Sequence, residues 1–396
     1  MKKIFLILIV LFLSGCNYRE LDKIAITVGC GLEKVDDGYK ITVQIADTQK
    51  QGNSNSSTSP VRFKNYTYTD RTIHEAARGI LTKLPKKAYT KHMQILVIDE
   101  KIANNGINEI IDFWFREVEL RNDFYVFVSK DSTPIEVLGV LTQIYPINSV
   151  GIRNLIENNF KYLGGTVLTT FDDLTSSYIS KTKEIILPTI VVLGKDGNKK
   201  DNLESSIPES LISLSETAYF RDNKLVGYLD KKQTIYYNLV KNALKTSIIS
   251  YECDKDKFVT FEIIENKTDI DIVKNKPEVN IKVQAKGNLT SIMCEYDISK
   301  NDGIKMIEKE GSLEIKKQID SLFKLSKDNK TDIFSIRDIY YKHNNKYYKN
   351  ISNYRLPTFG TTNTFDTQFG GTDWCYAWWK SSYDCDMDSS VGKSDS

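Results

Sequence analysis

Residues 94–129, QILVIDEKIANNGINEIIDFWFREVELRNDFYVFVS, decide the fold class. Gln94 to Ile98 is a short apolar run, the pattern of a strand buried on both faces. Ile107, Ile110, Ile111, Trp114, Phe115 and Val118 then recur at helical spacing and predict one apolar helix face. Phe124 to Ser129 is a second buried strand. Strand, helix and strand in this order call for a parallel pair joined by a right-handed crossover. Upstream, Thr72 and Glu75 have the spacing of a capping box. Ile73, Ala76, Ala77, Ile80, Leu81 and Leu84 follow at helical spacing, and Pro85 stops the run. Downstream, Pro134 to Leu141 begins another helix, which extends the β-α-β-α order.

Working outward, Ile24 to Lys34 and Tyr39 to Ala46 read as a hairpin turning at Asp36-Asp37-Gly38. Gln51 to Pro60 is a polar loop. Ile152 to Phe160 and Phe171 to Ile179 read as short helices, and Glu184 to Leu193 as a strand carrying Pro188. Gly194 to Pro208 is polar and turn-rich, as a boundary would be. Beyond it, Glu216 to Phe220 pairs with Lys224 to Leu229, and Lys231 to Leu244 is helical. Two strands are expected over Phe258 to Glu265 and Thr268 to Val273. Val279, Ile281, Val283 and Ala285 alternate as in a half-buried strand, and Ile304 to Leu325 is a long amphipathic helix. The fold class is α/β to α+β, with mixed sheets and flanking helices. The division expected is 16–200, 201–275 and 276–356, ahead of an atypical tail at 357–396 that has no Leu, Ile or Arg and is expected to be disordered.

The chain opens MKKIFLILIVLFLSGC. Lys2 and Lys3 are followed by the apolar run Ile4 to Leu13, too short for a membrane-spanning helix of about 20 residues but long enough for a signal peptide. Leu13-Ser14-Gly15-Cys16 has the small residues that a signal peptidase needs and a thiol to carry S-diacylglycerol, with an N-acyl chain on the new amino terminus. The expectation is a signal peptide over 1–15 and a lipid anchor at Cys16. Two or more acyl chains hold a protein on a membrane where one would leak. A net charge of +2 and a pI near 8.0 exclude a strongly basic nucleic-acid binder. Cys30, Cys253, Cys294, Cys375 and Cys385 are odd in number and scattered, which predicts isolated small hydrophobes and tail thiols rather than a disulfide framework or zinc site.

No catalytic, metal or cofactor motif emerges. His74-Glu75 begins like H-E-x-x-H, but Arg78 stands where the second histidine belongs. Gly29-Cys30-Gly31 precedes a turn and a strand rather than a helix, so it reads as a bulge or a strand end and not a dinucleotide loop. Asp254 and Asp256 lack the glycine and terminal glutamate of a calcium loop. His92 reads as a residue at the start of a strand. Arg116, Glu119 and Arg121 form the densest charged constellation, either a partner surface or the solvated end of a helix with local ion pairs.

Four stretches together resemble the Ger(x)C spore germination lipoproteins, the C subunits of nutrient germinant receptors. They are SGCNYRELDKIAITVGCGLEK, TIHEAARGI with AYTKHMQILVIDEKIANNGINEIIDFWFREVELR, LSETAYFRDNKLVGYLD and KPEVNIKVQAKGNL. His92, Arg116, Glu119 and Arg121 match positions of the family pattern, as do Phe220, Asp222, Lys224, Leu225, Gly227 and Leu229. The resemblance implies three α/β domains on the outer face of the inner spore membrane, two polytopic partner subunits, A and B, and no catalytic centre. Only Cys16 carries over with a defined role. Pro357 to Ser396 departs from the family's closing segment. The rival reading, a solute-binding lipoprotein of an ABC importer, requires two similar lobes around a deep cleft.

Overall fold

The computed structural model describes residues 23–47, 61–117, 120–180, 182–272 and 279–343. The signal peptide, Cys16, the loop at 51–60, Val118, Glu119, Cys375, Cys385 and the tail at 357–396 lie outside these residues.

The strands β1 (Ile24–Val35) and β2 (Gly38–Ala46) form the expected antiparallel hairpin, and β3 (Phe63–Asp70) adds to its outer side. After helix α1 (Ile73–Gly79) and a 3-10 turn at Ile80–Thr82, the short β4 (Lys87–Tyr89) pairs with the start of β1. Strand β5 (Ile95–Asp99) lies parallel to β1, and helices α2 (Glu100–Asn105) and α3 (Asn108–Arg116) carry the chain to the parallel β6 (Tyr125–Ser129). Helices α4 (Pro134–Gly139), α5 (Asn148–Tyr162) and α6 (Phe171–Ile179) precede β7 (Ile186–Leu193), again parallel. The short α7 (Asp201–Glu204) leads to the antiparallel β8 (Leu211–Arg221) and β9 (Lys224–Leu229). The result is a nine-stranded mixed sheet in the order β3-β2-β1-β5-β6-β7-β8-β9, with β4 beside β1.

The apolar runs of β5 and β6 follow from burial on both faces. Leu96, Ile98, Val126 and Val128 pack under α1, α3 and α6, while Ile95, Val97, Tyr125 and Phe127 pack under α4 and α5. Pro188 lies in β7 beside a shift in its register with β8, between Pro188 and Ile190, the kind of irregularity at which a strand tolerates proline. Gly29 and Gly31 let the opposite layer close onto β1. A Cβ on Gly29 would lie 2.1 Å from Ser149 Oγ, and one on Gly31 would lie 2.8 Å from Pro134 Cβ. That Ser149 hydroxyl donates to Gln44 Oε1 at 2.6 Å, a buried bond that joins α5 to β2.

Helix α8 (Lys231–Val240) then enters the interior with Thr234 to Val240 all buried. A three-stranded antiparallel sheet of β10 (Ser247–Asp254), β11 (Lys257–Ile272) and β12 (Val279–Ile292) follows, with the long α9 (Asn301–Asp328) and α10 (Ile336–His343). Val279, Ile281, Val283 and Ala285 are buried as their alternation requires, against Ile315, Ile319, Leu322 and Phe323 of α9. In the same core lie Tyr219 and Leu229 of the large sheet and Tyr236, Leu239 and Val240 of α8.

Several expectations are corrected. Phe115 is 66% exposed, not part of the buried α3 face, because it sits about 100° round the helix from Trp114. The two strands expected between Phe258 and Val273 are one 16-residue strand. Its polar middle reads as a turn but is held by α8 and the segment just after it: Thr268 Oγ1 donates to the Leu239 carbonyl at 2.7 Å and Asn266 Nδ2 to that of Leu244 at 2.8 Å. Cys253 and Cys294 are not isolated hydrophobes but form a disulfide, with Cα atoms 6.4 Å apart. The outer strands β10 and β12 both end beside the same part of β11, which brings the two cysteines together. The large sheet continues to Leu229, past residue 200, and the small sheet spans residue 275.

Candidate functional site

Among the described residues, no group of three or more His, Cys, Asp or Glu is arranged to hold a metal, and no helix is long and apolar enough to cross a membrane. The charged and concave features gather instead around α1 and α3. Thr72 caps α1 by accepting from the Glu75 backbone N–H at 3.1 Å, so His74 is held in the first turn. His74 meets the edge of Phe113 on α3 with ring centroids 6.1 Å apart. Between the two helices runs an open groove of about 650 Å³, bordered by His74, Asn108, Glu109, Asp112, Arg116 and Tyr178.

Arg116 lies on this groove and is committed locally. Its Nε donates to both Asp112 carboxylate oxygens at 3.0 and 2.9 Å, one helical turn away. Bonding to Arg116 holds the Asp112 carboxyl below the usual carboxylate range. Arg121 pairs with Asp123 at 3.5 Å. Each arginine thus has its own aspartate, and Glu119 lies outside the described residues. His92 closes a 3-10 turn just before β5. Asp254 pairs with Lys257 at 3.2 Å. Cys30 is buried in β1, and burial pushes its thiol up to about 12, so it is inert at neutral pH.

Behind the groove, β1, β2, α1 and α3 enclose a second cavity of about 220 Å³, which shares His74, Phe113 and Glu117 with the groove. At the groove's Glu109, the carboxylate accepts from the Tyr39 hydroxyl. Burial and that carboxylate raise the phenol's pKa, so it stays a donor.

Sequence reasoning missed a charged junction between the two sheets. Asp332 is buried and accepts from the backbone N–H groups of Ile336 at 2.9 Å and Arg337 at 2.8 Å. The Arg337 guanidinium bonds Glu184, just before β7, and lies 3.5 Å from Asp332. Lys241, at the end of α8, donates to the Phe334 carbonyl at 3.1 Å. Burial raises the carboxyls of Asp332 and Glu184 and lowers Lys241. Nearby, Thr182 donates to Asp338 at 2.7 Å. The local signal was Asp332 ahead of a helix whose first turn carries Arg337, but Glu184 lies far away in sequence.

An α/β body with a grooved helical face, joined through a buried helix to a small antiparallel sheet, matches known proteins along most of its length. Residues 17–192 match the family model described as the spore germination protein N-terminal domain, and residues 215–364 match that described as spore germination B3/GerAC like, C-terminal. Spore germination protein KC of Bacillus subtilis (strain 168) is 23% identical over 353 residues, 86% of each chain. Spore germination protein GerQC of Bacillus cereus is 22% identical over 325 residues, 79% of this chain and 86% of that one. The crystal structure of the GerBC protein aligns with a TM-score of 0.48 at 17% identity, covering 89% of this chain and 99% of that one. The chain belongs to the Ger(x)C family of spore germination proteins.

Proposed function

We propose that this protein is the C subunit of a nutrient germinant receptor, lipid-anchored through Cys16 on the outer face of the inner spore membrane. It acts without catalysis, alongside two polytopic membrane subunits, A and B. The observation that carries this reading is that both family models match in order over most of the chain, with relatives of similar length that bear spore germination names. The Cys253–Cys294 disulfide supports a site outside the cytoplasm, since such bonds persist in oxidising surroundings. The unlike sheets, one of nine mixed strands and one of three antiparallel strands, favour this reading over a binding protein with two similar lobes. Deleting the gene is expected to leave sporulation normal and to slow or abolish germination with one set of nutrients. Normal germination with every nutrient, in a strain lacking paralogous receptors, would overturn the proposal.

A further inference from the structure

Helix α9 sorts its charges by direction. Lys305, Lys309, Lys317, Lys324 and Lys327 are all exposed, and at about 100° per residue they fall within one third of the helix circumference. Together they extend over about 33 Å of its length. The acids between them mostly turn elsewhere. Glu310 accepts from the Tyr296 hydroxyl, and Glu314 pairs with Lys232 of α8 at 2.9 Å. Glu308 falls on the side of the buried Ile315 and Ile319, which leaves the half-buried Asp320 as the one acid inside the lysine arc. Met306 and Leu313, each more than half exposed, lie inside the same arc. Lys305 and Lys309 stand one turn apart, as do Lys324 and Lys327, a like-charge spacing that weakens a helix unless an anion lies over it.

The end of α9 is tied to the edge of the large sheet from which the chain starts. Strands β1, β5, β6 and β7 are parallel, so the starts of β1 and β7 share one edge. Strand β8 runs against β7, with Tyr219 opposite Ile186, and so finishes at that edge. There Arg221 donates to the Asn329 carbonyl at 2.9 Å, and Thr331 Oγ1 donates to the Phe220 carbonyl at 3.2 Å. Cys16 stands eight positions before Ile24, and a chain of that length spans at most about 29 Å. A lipid at Cys16 would therefore hold this edge, and α9 with it, close to a bilayer.

We propose that the α9 stripe docks on the anionic phospholipid headgroups of the bilayer, with Met306 and Leu313 entering the acyl boundary. The inference deepens the proposed receptor subunit and takes from that reading only the nearness of a membrane. A basic patch adds a second signal to a lipid anchor and fixes which side of the body faces the bilayer. Net charge does not do this. Without Lys2 and Lys3 of the expected signal peptide, which holds no acidic residue, the formal charge of +2 falls to zero.

The test uses residues 16–396 with Cys16→Ser, which have no thiol to carry lipid. They are sedimented with vesicles of phosphatidylglycerol and phosphatidylcholine, or of phosphatidylcholine alone. Binding is expected with the anionic vesicles only and should fall as salt rises. A lysine near an anionic surface contributes about 1 kcal/mol, or about fivefold. Lys309→Gln/Lys317→Gln/Lys324→Gln should thus lower the partition coefficient about a hundredfold. Lys195→Gln/Lys199→Gln/Lys200→Gln removes as many charges beyond the far end of β7 and should leave binding unchanged. All six lysines are exposed, and an unchanged thermal midpoint shows that each variant is folded. The proposal is overturned if the chain ignores anionic vesicles, binds phosphatidylcholine equally well, or loses as much binding in the second variant as in the first. Binding to soluble polyglutamate but not to vesicles also overturns it and assigns the stripe to an acidic protein segment. Detergent partitioning of the lipidated chain tests Cys16 separately, so the two readings fail independently.

Discussion

Arg337, in the first turn of α10, bonds Glu184 at the foot of β7, a residue 153 positions earlier in the chain. The same guanidinium faces the buried Asp332, so one cation offsets two carboxylates where the last helix meets the large sheet. Arg337→Gln removes that cation and keeps much of the side-chain volume. Breaking a buried pair costs about 3–5 kcal/mol, and the one-third exposure of the arginine brings the expected loss to about 2–4 kcal/mol. Urea unfolding measures it. A loss under about 0.5 kcal/mol would show the junction to be ordinary surface pairing.

The junction also predicts a pH dependence. Burial holds the Asp332 carboxyl above its ordinary range, so in that window the native state binds a proton that the unfolded chain lacks. For an acid raised on folding, the contribution to stability is fully present below the unfolded value of about 3.9 and is lost as pH rises through the folded one. Asp332→Asn keeps an acceptor but cannot charge. The wild type should therefore gain on this variant as pH falls from about 7 towards about 4. Paired thermal melts across that range test the sign, and a gap that narrows in acid would refute it.

Cys253 and Cys294 close a loop across 41 positions. By chain entropy such a closure contributes up to about 4 kcal/mol, less whatever strain the native state carries. The Cys253→Ser/Cys294→Ser variant should be less stable by about 2–4 kcal/mol, and a reductant should lower the wild type's thermal midpoint but not the variant's. Equal response of both proteins to the reductant would mean that the bond is absent in solution.

Gly29→Ala places a Cβ 2.1 Å from Ser149 Oγ and should break the buried Ser149–Gln44 bond. The expected cost is about 1–3 kcal/mol, the scale of overpacking in a dense core. Adding Ser149→Ala to Gly29→Ala should recover part of it, because the two sites share one contact. A strictly additive double variant would place the damage elsewhere.

Cys16→Ala removes the thiol that would carry lipid and should shift the protein from the detergent phase to the aqueous phase on partitioning. Quantitative retention with detergent would mean that a protein surface does the anchoring.

The parallel centre was legible because burial on both faces leaves unbroken apolar runs such as Ile95–Asp99 and Tyr125–Ser129. Strand β3, FKNYTYTD, was not, since it lies at a sheet edge and needs few apolar residues. In β11 the polar stretch around Asn266 mimicked a turn because its partners, on α8 and just after it, are far off in the sequence. The same distance hid the Cys253–Cys294 and Arg337–Glu184 pairs. Of the charged constellation, Arg116 proved to border a groove, which depends on how α1 stands beside α3 and on no local pattern. The cavity behind that groove is likewise a product of packing.

Helix α8 has no outer side: seven consecutive residues, Thr234 to Val240, are buried between the sheets. Thr234 bonds Thr217 of the large sheet, while the Leu239 carbonyl accepts from Thr268 of the small one. The helix is therefore shared by both sheets in one core, with Tyr219 and Leu229 of the large sheet and Val279 and Ile281 of the small one. A piece of the chain ending at residue 200 would lose β8 and β9 as well as this shared wall, and one starting at 276 would lose two of its three strands. A single unfolding transition is therefore the expected outcome of a thermal melt. A displacement of either sheet is expected to reach the other through the contacts of this one helix.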